Sequence, residues 1–295
     1  MTPRRAIILA LGPIVIVSVC YWLTLADGIE SAPASGSETG TPEEFLPAAG
    51  KPQDRLREAC EQTAAELRRR LGSECRVIVR KPFVLAGDLP DAVLDEHYRT
   101  TIVPTVRALA TCYFDRESDE PISILMFSNE KNYRRSAAQI DGKSRASYHG
   151  YYEKQTRRIV LNIATGNGTL AHELTHALAH FDFPNMPEWF DEGLASLNEQ
   201  SRFSDDGLQL FGLPNWRINY LLLAMQHGRL RSIHALVTDP AFGTQQEAVD
   251  YAQARYLCLY LQERGLLSHF YRKLRANTVH RFPLGYCAVA ELSLE

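Results

Sequence analysis

From residue 54 onward, hydrophobic positions recur first at helical and then at strand spacing, and the two kinds of segment alternate. Asp54 to Leu71 sets apolar residues among charged ones at a helical period and predicts an amphipathic helix. Cys75 to Val84 predicts a strand around Val77, Ile78 and Val79, and Leu89 to Phe114 a long helix. Ile122 to Phe127 reads as a second strand and Asn129 to Ile140 as a helix. Tyr148 to Tyr152 and Ile159 to Ile163 read as two pairing strands joined by the polar turn Glu153 to Arg158. Further on the period is mostly helical, in Trp216 to His227, Ile233 to Val237, Glu247 to Glu263 and Leu266 to Leu274. The fold class predicted is α+β, a small mixed sheet with helices followed by a mainly helical C-terminal half.

One segment carries chemistry. Arg157 to Ile163 is a β-branched apolar run that reads as a buried strand, and Ala164 to Gly168 is a turn. Thr169 is the expected helix N-cap, and apolar residues at 170, 174, 177, 178 and 181 continue a helix until Pro184 opposes it. On that helix lies His172-Glu173-Leu174-Thr175-His176, an H-E-x-x-H motif. Positions i and i+4 share a helix face, so both imidazoles aim at one point, half of a tetrahedral zinc site. Glu173 sits beside that point, placed to take a proton from a water activated by the metal.

A third ligand is needed. Pro187 to Ser196 predicts a second helix after a short loop, and Glu192 falls on it sixteen positions after His176. A His2Glu set leaves one coordination position open, the catalytic rather than the structural arrangement of zinc. Two rivals exist in the sequence. His180 continues the i, i+4 series but lies about 6 Å further along the helix axis. Asp182 stands ten positions after His172, where metzincin-like enzymes place their third ligand, but those enzymes turn the chain with a glycine at the position held here by Ala179.

His-Glu-Leu-Thr-His followed by Pro-Glu-Trp-Phe-Asp-Glu-Gly-Leu-Ala resembles the gluzincin metallopeptidases, the group to which thermolysin belongs. Within that group the pattern is most similar to bacterial peptidase-MA-like proteins, with a strand, H-E-x-x-H, then P-x-W-x-x-E-G-x-A. The likeness covers Tyr148 to Leu197 and extends more weakly to Tyr251 to Tyr256. It implies a zincin-like domain in which His172, His176 and Glu192 hold one zinc per chain and Glu173 is the general base. It also implies a donor to the carbonyl oxygen from the helical half, for which Tyr251 is the candidate and Tyr256, His227 and Arg255 are runners-up. Thermolysin-like enzymes orient a histidine with an aspartate four residues after the ligand glutamate; Ser196 stands there here, leaving Asn198 and Glu199 as substitutes. In zincins the strand before the metal helix runs beside the substrate, which adds to a sheet edge.

The N-terminus places this chemistry in a compartment. Met1 to Arg5 carries two arginines and Ala6 to Ala26 no charged residue, so residues 1–26 read as a signal-anchor or signal peptide. Residues 27–53, rich in Ser, Gly, Pro, Ala and Glu, read as a linker, leaving 54–295 as the zincin-like domain. Arg4 and Arg5 favour an outward-facing body, membrane-anchored or secreted. A net charge of −3 without a basic stripe gives no nucleic-acid surface. Of six cysteines, Cys60 and Cys75 are placed to pair across a short loop, with free core cysteines as the alternative. The function expected is zinc-dependent hydrolysis of peptide bonds in a peptide or protein substrate. The alternatives are a non-catalytic binding or scaffolding protein that retains the fold, and a zinc hydrolase of a non-peptide bond.

Overall fold

A computed structural model describes residues 52–143, 147 and 149–279. The expected N-terminal signal or anchor and most of the expected linker lie outside those residues, as do Cys20 and Cys287. Among the described residues no helix is long and apolar enough to cross a membrane.

The fold is α+β. Helix α1 (Pro52–Leu71) leads into a hairpin of β1 (Arg76–Arg80) and β2 (Phe83–Gly87). Sequence spacing predicts one strand over Cys75 to Val84; the chain instead reverses at Lys81–Pro82, and β2 continues to Gly87. A proline has no N–H for a ladder, so it sits at the turn rather than inside the strand. The predicted helix from Leu89 to Phe114 is two helices, α2 (Asp91–His97) and α3 (Val103–Cys112), joined by a π-helical turn over Tyr98–Ile102. Pro104 follows that turn; its ring and missing N–H disfavour the preceding α-helical bonds, and the wider turn absorbs the mismatch.

Strand β3 (Ile122–Phe127), helix α4 (Glu130–Asp141), strands β4 (Gly150–Glu153) and β5 (Arg158–Asn162) complete the sheet, in the order β1-β2-β3-β5-β4. The central strands β2, β3 and β5 are parallel, and β1 and β4 are antiparallel edges. Side chains alternate across the sheet. Val84, Ala86, Leu125, Phe127 and Val160 meet Cys60, Ala64 and Leu67 of α1 and Tyr133 and Ile140 of α4. The intervening residues Leu85, Ile124, Met126, Ile159 and Leu161 are also fully buried and face the opposite layer. Helix α5 (Asn167–Asp182) packs there, against β4 and β5.

The C-terminal half is helical: α6 (Glu188–Asn198), α7 (Ile218–Gln226), α8 (Ile233–Thr238), α9 (Glu247–Glu263) and α10 (Leu267–Val279). A small hairpin, β6 (Ser201–Phe203) with β7 (Leu210–Gly212), interrupts it and has no counterpart in the sequence reading. Its strands are three residues long, too short for a period-2 pattern to register. Helix α6 lies tightly on α9 because Gly193 has no side chain: a Cβ there would come 2.9 Å from both the Ala254 carbonyl oxygen and Cys258 Sγ. Cys60, Cys75, Cys112 and Cys258 are free thiols, so the expected Cys60–Cys75 pair is not formed. Cys60 instead packs inside the core with its Sγ towards the Pro82 carbonyl.

Candidate metal centre

The turn that launches α5 explains where the histidines point. Asn162 ends β5, and its side chain accepts from the Ala164 N–H across a short 3-10 turn, Ile163–Thr165. Gly166 takes φ 99°, a conformation open to glycine, and serves as the N-cap, so the helix starts earlier than the expected Thr169. Gly168 passes so close to α6 that a Cβ would lie 2.3 Å from the Glu199 carbonyl oxygen. Thr169 pairs with Thr165 at 3.1 Å between their hydroxyls.

Helix α6 is fixed against α10 by an aromatic cluster. Phe190 is buried against Phe270 at 5.2 Å between ring centroids and against Tyr271 at 6.1 Å, and Trp189 packs on both Phe190 and Phe270. With Trp189 and Phe190 turned into that cluster, the next two residues, Asp191 and Glu192, face α5. Asn198 adds a buried tie, donating to the Thr175 hydroxyl at 3.1 Å.

Three ligand-type atoms converge. His172 Nε2 and His176 Nε2 are 3.2 Å apart, and Glu192 Oε2 lies 3.6 Å from the first and 3.7 Å from the second. Tetrahedral zinc with bonds of about 2.0–2.1 Å holds its ligand atoms about 3.3–3.4 Å apart, so this triangle is the right size. Glu192 Oε2 is buried and has no hydrogen-bond partner, a costly condition for a carboxylate oxygen unless a cation meets it. Glu173 is buried beside the pair on the same helix.

Asp191 organises the far side of the histidines. Its Oδ1 lies 2.8 Å from His176 Nδ1 and its Oδ2 2.9 Å from His180 Nε2. The carboxylate thereby fixes the His176 ring through its Nδ1–H and turns Nε2 towards His172 and Glu192. Asn198 and Glu199, the substitutes expected from sequence, have other tasks: Asn198 holds Thr175, and Glu199 pairs with Arg217 at 3.0 Å. The buried Ser196 hydroxyl has no partner. Sequence spacing gives no sign of Asp191, because adjacent helical residues do not face one another and Glu192 already holds the position aimed at the histidines.

The electrostatics follow from crowding these groups away from water. Burial, helped by the charge of His176, holds the His172 imidazole well below its ordinary value. Burial pulls His176 the same way, but the charge of Asp191 and its hydrogen bond win and raise it to about 10. Burial works against ionised Asp191, yet His176 and His180 outweigh it and keep the carboxyl well below the usual range. Burial raises Glu173 to about 7 against the pull of His176, and also raises Glu192. Two carboxyls pushed towards protonation by burial mark a site short of positive charge, which a divalent cation would supply.

The rival ligands sit elsewhere. His180 gives Nε2 to Asp191, and its ring lies 5.4 Å from that of Tyr152. Asp182 is buried at the C-terminal end of α5, accepting from the Asp115 and Arg116 N–H groups, the Tyr271 hydroxyl and the Arg275 guanidinium. Tyr251, on α9, lies beside Glu192; burial first, then the Glu192 charge, raise its phenol far above the ordinary value. Tyr256 is engaged with the Asn215 backbone, Arg255 is fully buried and donates to the Leu213 carbonyl, and His227 is exposed beyond α7. A guanidinium that sequence did not single out, Arg217, stands 5.8 Å from the Tyr251 ring.

The strand before the motif helix, β5, is paired on both sides and offers no edge; the edge next to α5 is β4. No family model matches this chain, and no curated protein matches it.

Proposed function

We propose that the protein is a zincin-like metallopeptidase, exported and tethered through its N-terminal apolar stretch. Its zinc is held by His172, His176 and Glu192. The observation that carries this reading is the near-equilateral set of three ligand atoms, 3.2 to 3.7 Å apart, with one carboxylate oxygen otherwise unpartnered. Zinc bound there supplies Lewis acidity, which polarises a carbonyl and makes water a nucleophile near neutral pH.

The chain's own groups divide the remaining work. Glu173, raised to about 7 by burial, is matched to accept a proton from the attacking water and return it to the leaving amine. Asp191 keeps the His176 Nε2 lone pair aimed at the ligand position, and His180 braces Asp191 from behind. Tyr251, beside Glu192 and far from ionising, is the donor for negative charge developing on the carbonyl oxygen. Among the described residues strand β4 is the sheet edge beside α5, on which an extended peptide can lie as an added strand.

An intact Glu173 in that place favours a peptidase over a protein that keeps metal for structure alone. The test is hydrolysis of a fluorogenic protein substrate by the full chain loaded with zinc. Chelation should abolish cleavage, and Glu173→Gln should keep the zinc while lowering the rate about 10²–10⁴-fold. Cleavage by Glu173→Gln at the wild-type rate would overturn the assignment.

A further inference from the structure

The least expected surface is the outward face of α7. Seven large apolar side chains are exposed among the described residues, and five of them are Trp216, Tyr220, Leu222, Leu223 and Met225. Leu221 and Ala224 are the buried residues of this helix, so the body of the protein takes only a narrow stripe. Leu222, Leu223, Met225 and Tyr220 turn to solvent in two ridges at i, i+3 spacing, with exposures between 39 and 47%. A surface helix ordinarily shows polar residues there. Trp216 crosses Tyr220 edge-on at 5.8 Å and extends the patch by an aromatic pair.

Charge distinguishes among occupants. Between Asp206 and Asp239 the sequence contains no acidic residue, while Arg217, Arg229 and Arg231 and two histidines lie inside that interval. Arg217 and Arg231 are held by carboxylates of other segments, and Arg229 is exposed just beyond the end of α7. Trp and Tyr at one end, leucine and methionine in the middle and exposed base at the other match a helix lying in a lipid headgroup layer. The same chain carries the uncharged stretch Ala6 to Ala26. Only residues 27–51 separate it from α1, a span that reaches at most about 3.3–3.6 Å per residue when extended.

We infer that α7 with Trp216 docks on a bilayer surface bearing anionic headgroups. Docking brings the metal site to the membrane, because the Arg217 guanidinium lies 4.5 Å from the Trp216 ring and also faces Tyr251, which lies beside Glu192. The substrate class that follows is the membrane-proximal stretch of other polypeptides. This last step rests on the peptidase reading; the docking itself does not.

The test uses full-length protein reconstituted in vesicles of neutral and anionic phospholipid whose acyl chains carry bromine near the headgroup. The emission of Trp216 is taken as the difference between wild type and Trp216→Phe. A ring seated about 5–10 Å into the headgroup boundary should have that emission quenched by the bromines. Leu222→Ser/Leu223→Ser/Met225→Ser should abolish the quenching while the protein still floats with the vesicles. Quenching and flotation lost together in the triple variant would support docking and remove the N-terminal stretch as an anchor. Flotation without any quenching of Trp216 would overturn docking and leave the anchor standing. Concentration-dependent dimers in detergent that shield Trp216 and vanish in the triple variant would assign the face to a second copy and overturn it as well. Peptidase activity enters none of these readouts, so loss of that reading would be seen separately.

Discussion

Replacing Asp191 by asparagine isolates the part of the site that sequence did not reveal. The carboxylate accepts from two imidazoles at once, at 2.8 Å from His176 and 2.9 Å from His180. An amide of the same shape has one acceptor oxygen and one donor nitrogen. If the oxygen faces His176, the nitrogen confronts His180 Nε2, and that ring must move its proton to Nδ1, a buried atom with no partner. If the amide turns round, its N–H groups face His176 Nδ1 and drive the proton to Nε2, where a metal would have to bind. Both arrangements would weaken the proposed ligand set without emptying the space. Removing a carboxylate behind a ligand histidine costs about 10–100-fold in metal affinity, equivalent to about 1.4–2.7 kcal/mol. Competition against a zinc chelator of known affinity measures this directly, with thermal unfolding of the zinc-free protein run alongside. Zinc affinity within twofold of wild type, in an Asp191→Asn protein that melts normally, would refute the proposed role.

Other outcomes follow from single contacts. Tyr251→Phe should retain zinc and lower kcat by about 10²–10³-fold, as for loss of one donor to a developing oxyanion; unchanged kcat would return the tyrosine to a packing role. Asp182→Ala leaves the Arg275 guanidinium, the Tyr271 hydroxyl and two backbone N–H groups without their shared acceptor. It should destabilise the fold by about 3–5 kcal/mol in urea unfolding without changing zinc affinity per folded molecule. Gly193→Ala forces α6 away from the Ala254 carbonyl and Cys258; a loss of about 1–3 kcal/mol is expected, read as a lower denaturant midpoint.

Much of the architecture was legible because it depends on local pattern. Val160 and Leu161 lie in a run that could only be buried, and the i, i+4 histidines had to share a helix face. The position of Glu192 was legible for a similar reason: Pro187 marks a helix start and the intervening loop is long enough to bring the carboxylate back over the histidines. What escaped the sequence depends on contacts between distant segments. Pro82 carries a local signal for the reversal at Lys81–Pro82, but that β2 pairs back on β1 and also joins β3 is a question of contacts between segments. Asp182 and Asp191 are both acids near the histidines along the chain. Which one faces the site was decided by Tyr271 and Arg275 drawing the first away and Phe190 packing on Phe270 to turn the second inward. The edge strand beside the motif proved to be β4, because β5 is claimed by β3 on its other side.

Zinc K-edge absorption on the full-length protein bears most directly on the proposed centre of His172, His176 and Glu192. The expected shell has two imidazole nitrogens at about 2.0–2.1 Å, oxygen at about 2.0–2.2 Å and no sulfur. One imidazole should disappear in His172→Ala, and the carboxylate oxygen in Glu192→Ala. Sulfur scattering at about 2.3 Å, or a wild-type spectrum in Glu192→Ala, would place the metal elsewhere and contradict the assignment.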